Sequence, residues 1–133
     1  MEDTFNFNKD DELRQSIMGI KTDYKFGGIH YFHEMTLDII NKLLENNFID
    51  LNYRNQTNSP SIKEFIDFAT KYINETIYFC GFIISPKRND YDIVITGMMA
   101  SSHDKSFMED FENIFGEADG FECRDGKQSC WYD

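Results

Sequence analysis

The sequence predicts an α+β fold, with N-terminal helices packed on an antiparallel sheet made of two β-hairpins separated by a helix. Three observations lead there. Apolar residues recur at helical spacing over residues 30–47 and 59–72. Two runs rich in β-branched and aromatic residues, ETIYFCGFIIS and YDIVITGMMA, flank the polar stretch PKRND. An Asp125-Gly126 pair, a strong turn signal, sits inside the segment GFECRDGKQSCWYD.

Taken in order, KDDELRQSIMGI reads as a short acidic helix with Leu13, Ile17 and Ile20 inward and Asn8 as its N-cap. Asp10, Asp11 and Glu12 suit the positive end of its dipole. Tyr24 and Phe26 suggest a short strand, and Gly27-Gly28 a turn or bulge. From His30 to Asn47, Phe32, Met35, Ile39 and Leu43 share one face at 100° per residue. This predicts a central helix with Ile39 and Leu43 fully buried.

Residues 49–58 are polar and turn-rich. Ser59 as N-cap with Pro60 at the first helical position opens the next helix, and Ser61 with Glu64 offers an alternative capping box. Ile62, Phe65, Ile66, Phe68, Ala69 and Tyr72 form its apolar stripe. In the hairpin that follows, Gly81 and Gly97 suggest bulges or the close approach of a helix. The nearly continuous apolar strands imply one wholly buried sheet face and a second, partly covered one. SHDKSFMEDFENIFG gives the intervening helix, with Phe107, Phe111, Ile114 and Phe115 inward and Gly116 at its stop.

At 133 residues the chain reads as one domain, 1–133, with thirteen Phe and seven Tyr to build a core. A formal net charge of −11 opposes contact with phosphate backbones and anionic lipid surfaces. The expected partner is therefore a basic protein, not nucleic acid or membrane. No apolar run approaches the roughly 20 residues of a membrane span, and MEDTFNFNKDDEL lacks the features of a signal peptide. Together with three cysteines in no framework spacing, this points to the cytoplasm.

His30 and His33 with Glu34 form the sharpest chemical signal. Two ligands do not make a zinc site, and H-x-x-H-E matches no metalloprotease pattern. On a helix both histidines would be packing residues, so no metal is expected there and no cofactor anywhere. In a two-residue turn at Asp125-Gly126, Arg124 faces Lys127, Cys123 faces Gln128 and Phe121 faces Cys130. Cys123 and Cys130 then lie diagonally, at a spacing poorly suited to a disulfide, and all three cysteines, Cys80 included, are expected as reduced thiols. Nucleophile elbows, P-loops and dinucleotide fingerprints are missing, so no catalytic residue is assigned.

Charge is distributed unevenly. Residues 104–133 hold nine acidic against three basic side chains, more than half of the net charge in under a quarter of the length. The candidate partner-binding set is Glu109, Asp110, Glu112, Glu117, Asp119 and Glu122, with Trp131 and Tyr132 as aromatic anchors. Such a surface fits an acidic protein-binding module, most simply an immunity or antitoxin-type inhibitor of a basic partner such as a toxin nuclease. The alternative is a small enzyme or ligand-binding domain with a pocket near His30 and His33.

Overall fold

The computed structural model describes residues 5–55 and 59–132, so the middle of the 49–58 connection and Asp133 lie outside the described residues. Helix α1 (Asp11–Met18) comes first, followed by strand β1 (Ile29–Met35) and helices α2 (Leu37–Glu45) and α3 (Ile62–Lys71). Strands β2 (Thr76–Ile84) and β3 (Ile93–Ser101) form a hairpin. Helix α4 (Lys105–Phe115) then leads to a second hairpin, β4 (Gly120–Arg124) and β5 (Lys127–Trp131). The five strands form one antiparallel sheet in the order β1-β2-β3-β5-β4. The class is α+β, as the sequence predicts.

The long helix expected from His30 to Asn47 divides into two elements. Residues 29–35 form an edge strand, and Thr36 caps α2 by accepting from the Ile39 N–H. The reason lies in a bulge. Pairing with β2 shifts register between Phe32 and Met35, so two residues three apart both reach the core. A bulged strand thus imitates helical spacing. On α2 itself Ile40 and Leu43 are fully buried, whereas Ile39 is only partly covered.

Local capping chemistry also chose among neighbours. Asp10, not Asn8, caps α1, while the Asn8 side chain accepts from the Asp10 N–H. Ser61 and Glu64 make a reciprocal capping box at α3, so the helix begins at Ile62 and Ser59-Pro60 precede it as buried residues. Tyr24 adopts a left-handed backbone, and the short strand expected there is reduced to one bridge between Phe26 and Ile29.

The core lies between α2, α3, α4 and one face of the sheet. Phe65 stacks on Phe115 at 5.7 Å, Phe68 meets Phe107 and Phe115 at 5.4 and 5.1 Å, and Phe111 stacks on Phe121 of β4 at 5.8 Å. Phe65, Phe107, Phe111 and Phe115 are at most 1% exposed. Each such ring contributes about 1.5–3 kcal/mol through burial. Ile114, expected inward, is 51% exposed because the phenylalanines already occupy the inner face of α4.

Helix α1 is held by a buried cation. Leu13, expected inward, faces outward, and Arg14 takes the interior with no exposed surface. Its guanidinium donates to the Ile84 and Asp92 carbonyls, to Tyr24 and to Asp11, and lies 4.3 Å from the Tyr91 ring centroid. Every polar atom of the guanidinium finds an acceptor, which offsets its desolvation. The adjacent Asp92 carboxyl is itself buried, and burial pushes its pKa up to about 7. The Ile93 N–H and Arg14 oppose that rise, while Asp50 and Asp90 add to it.

Two outcomes are expected. Ile40→Ala and Leu43→Ala should each lose about 2–5 kcal/mol in chemical denaturation, and Ile39→Ala about 1 kcal/mol. Equal losses at positions 39 and 40 would contradict the placement of α2. The second concerns pH. Between its ordinary carboxylate value and about 7, Asp92 holds a proton in the folded chain that it loses in the unfolded one. Stability from this group therefore falls as pH rises through that window, by at most about 1.4 kcal/mol per unit. Asp92→Asn should be more stable than the parent above pH 7, with the advantage vanishing toward pH 4; denaturation curves across that range measure it.

Candidate functional site

The sequence-predicted acidic set is divided between the two sides of the sheet. On α4, Glu109 and Glu112 are exposed, as the inward turn of Phe107 and Phe111 requires. Glu117 and Asp119 follow in the connection to β4, both exposed. Lys105 lies 3.8 Å from Glu109, and neither Glu112 nor Glu117 has an ion-pair partner among the described residues. Asp110 behaves differently. Lys71 and Tyr72 of the neighbouring α3 end donate to its carboxylate, which holds its pKa below the usual range. It fastens α4 to α3.

Glu122 and Trp131 sit on the sheet face away from the helices. Glu122 accepts from Arg124 at 3.2 Å and lies 3.7 Å from the Lys127 ammonium, so its charge is locally balanced. Trp131 is 49% exposed. Tyr132, the second proposed anchor, is 8% exposed and packs edge-on against Phe65, leaving it almost no surface to present. Burial raises its pKa above that of a free phenol.

Around Trp131 the outer sheet face forms a groove of about 470 Å³. Its shape follows from cross-strand pairing. Cys80 of β2 pairs with Gly97 of β3, and Gly97 pairs with Trp131 of β5. Two small residues therefore lie side by side in the central strands, with large ones beyond them. A bulge places Thr96 as an extra residue opposite the Cys80-Gly81 step. No other residue fits at Gly97, where a Cβ would stand 2.1 Å from the Cys130 carbonyl oxygen. Gly120 plays a second part: its missing side chain lets the Trp131 indole lie against the backbone.

The far side of the groove is β1. Tyr31 is 61% exposed and meets Phe82 edge-on at 5.7 Å. His33 is exposed on the bulge, not packed in a helix, and lines the same groove as Cys80. The Cys80 thiol donates to the His33 carbonyl at 3.5 Å, so the backbone, not the imidazole, receives that contact. His30, on the same strand, is half-buried and borders a separate hollow with Lys21, Lys25 and Phe26. Among the described residues no three His, Cys, Asp or Glu side chains converge as metal ligands would.

Thiol chemistry is disfavoured throughout. Burial pushes the Cys80 thiol up, and burial with the nearby Glu112 does the same at Cys123. Cys130 is pushed up to about 12. The terminal hairpin has the pairing the Asp125-Gly126 turn predicts, Arg124 with Lys127, Cys123 with Gln128 and Phe121 with Cys130. The three cysteines are free. One pair that sequence reading missed is His103 with Asp125, whose ring nitrogen and carboxylate are 2.8 Å apart beside that turn. Tyr31, Met99 and Ser129 were missed as groove residues; the signal for them, an exposed apolar row with glycines opposite aromatics, needs the strand register.

The thiol environments generate a prediction. In folded protein at pH 8, all three cysteines should react with iodoacetamide more slowly than in urea-unfolded chain, and Cys130 should not react without unfolding. Mass mapping of the alkylated sites decides it. A Cys80 that outpaces its unfolded rate would reveal an activated thiolate and a nucleophilic site. No helix among the described residues is long and apolar enough to cross a membrane.

Comparison with known proteins found no matching protein family, no similar characterised protein and no similar solved structure.

Proposed function

We propose that this chain is an acidic protein-binding module of the immunity or antitoxin type, which acts in the cytoplasm by covering a basic partner such as a toxin nuclease. The observation that carries this reading is the outer side of α4 and the turn after it. Glu109, Glu112, Glu117 and Asp119 stand exposed there, beside an Ile114 that is half-exposed in a chain of net charge −11. Exposed carboxylates around an apolar side chain, Glu112 and Glu117 among them without an ion-pair partner among the described residues, supply long-range attraction and a short-range contact. Steering acts over the 8–10 Å reach of exposed charges at physiological salt, and so acts on encounter rather than on escape. Asp110 belongs to the helix junction and Trp131 to the other face of the sheet, so neither is part of this surface.

A second reading, a ligand-binding domain with its pocket beside His33, is favoured by one observation: His33, Cys80 and Trp131 line one groove. Raised thiol pKa values support binding there rather than thiolate catalysis.

The partner-binding reading is tested by capture from the cells that make the protein, followed by association kinetics at two salt concentrations. The captured partner should be basic. Reversal of Glu109, Glu112 and Glu117 to Lys should slow association by about tenfold or more at low salt while far-UV spectra stay unchanged. Trp131→Ala should leave both rates as they are. An acidic partner, or a triple reversal that associates as fast as the parent, overturns the assignment and leaves the acids as a solubilising surface.

A further inference from the structure

The outer face of the sheet has a trough that the acidic helix does not account for. In one cross-strand row, Trp131, Gly97 and Cys80 follow one another from β5 to β2, a large residue and then two small ones. Beyond Cys80, the bulge of β1 raises the far wall with Tyr31 and His33. With neighbouring strands about 4.8 Å apart, the low ground between the walls is about 10 Å wide. That width, with a volume of about 470 Å³, suits a small molecule; ligand pockets typically enclose about 300–1,000 Å³.

The lining chemistry selects the class of occupant. The floor and walls offer an indole face, a phenol ring and the Met99 side chain, 38% exposed, all suited to a flat apolar surface. Glu122, the one carboxylate lining the groove, lies 3.7 Å from Lys127, the one ammonium lining it, so the charges of the lining cancel. Two polar side chains, the Ser129 hydroxyl and the His33 imidazole, line the groove with no hydrogen-bond partner among the described residues. Ser129, on the same strand as Trp131, can meet the polar edge of a ring system stacked on the indole, while His33 stands on the opposite wall.

We infer that this trough is a binding site for an uncharged planar heteroaromatic molecule, held against the Trp131 indole with its polar edge at Ser129. The inference rests on the second reading of function and is independent of the acidic helix. No bond is made or broken in the site.

The test uses the whole protein with quinoline and adenine as probes and cyclohexanol as an uncharged non-planar control. At least one planar probe should bind saturably with a Kd of about 0.1–1 mM, the range open to so few atoms. Its binding should shift the backbone amide resonances of Cys80, Gly97, Ser129 and Trp131, and cyclohexanol should do neither. Trp131→Ala and Cys80→Phe, which remove one wall and fill the floor, should each weaken binding at least tenfold. If Cys80→Phe does not fold, Trp131→Ala alone decides, because its half-exposed indole can be removed without opening the core. Absence of saturable binding by both planar probes overturns the proposal, as does binding that survives Trp131→Ala or maps elsewhere. Partner capture by the α4 acids is unaffected by either variant, so failure here and failure of the partner-binding reading are separable.

Discussion

The constraint on which the molecule depends is the phenylalanine layer between α3, α4 and the inner sheet face. Phe68 touches Phe107, Phe111 and Phe115, and Phe111 carries the contact across to Phe121 on β4. Interlocked rings fix the height and rotation of α4 over the second hairpin. They also consume the large apolar groups on one side. The other face carries Tyr31, Phe82, Met99 and Trp131, spread over four strands without a covering helix. A domain of this size has enough apolar area for one thick core and not for two.

The two candidate surfaces follow from this one-sidedness. The acids of α4 lie outside the phenylalanine layer, and the groove lies beyond the sheet, so the full thickness of the domain separates them. On the first, Glu112 and Glu117 have no ion-pair partner among the described residues, whereas on the second Glu122 is paired. Electrostatic attraction and aromatic contact, which the sequence places close together along the chain, are therefore properties of opposite sides. Alternation along β5 is the physical cause: Gln128 and Cys130 turn inward, so Trp131 must turn out and Tyr132 back in.

Much of the fold was legible because local chemistry and burial agree. The β2-β3 and β4-β5 hairpins, the α4 boundaries and the cysteine register follow from turn residues and period alone. Where sequence reading failed, a specific competitor won. The Phe32 to Met35 spacing is a bulge and not a helical turn. Arg14 occupies an interior position that an aliphatic residue would claim by hydropathy, because four oxygens await it there. The groove was invisible for a different reason. It depends on Gly97 meeting Trp131 across β3 and β5, and no local period reports which strand the final hairpin will join.

Strand order has a consequence for how the chain assembles. Strand β5 is inserted between β3 and β4, so β4 reaches the sheet only through a neighbour that is synthesised after it. Until Lys127–Trp131 has left the ribosome, β3 keeps an open edge and β4 has nothing to pair with. The phenylalanines of α4 meanwhile lack the Phe121 ring they stack on. An interruption of the chain before that strand would remove two strands from the sheet instead of one, and expose an apolar edge of the kind that recruits other chains.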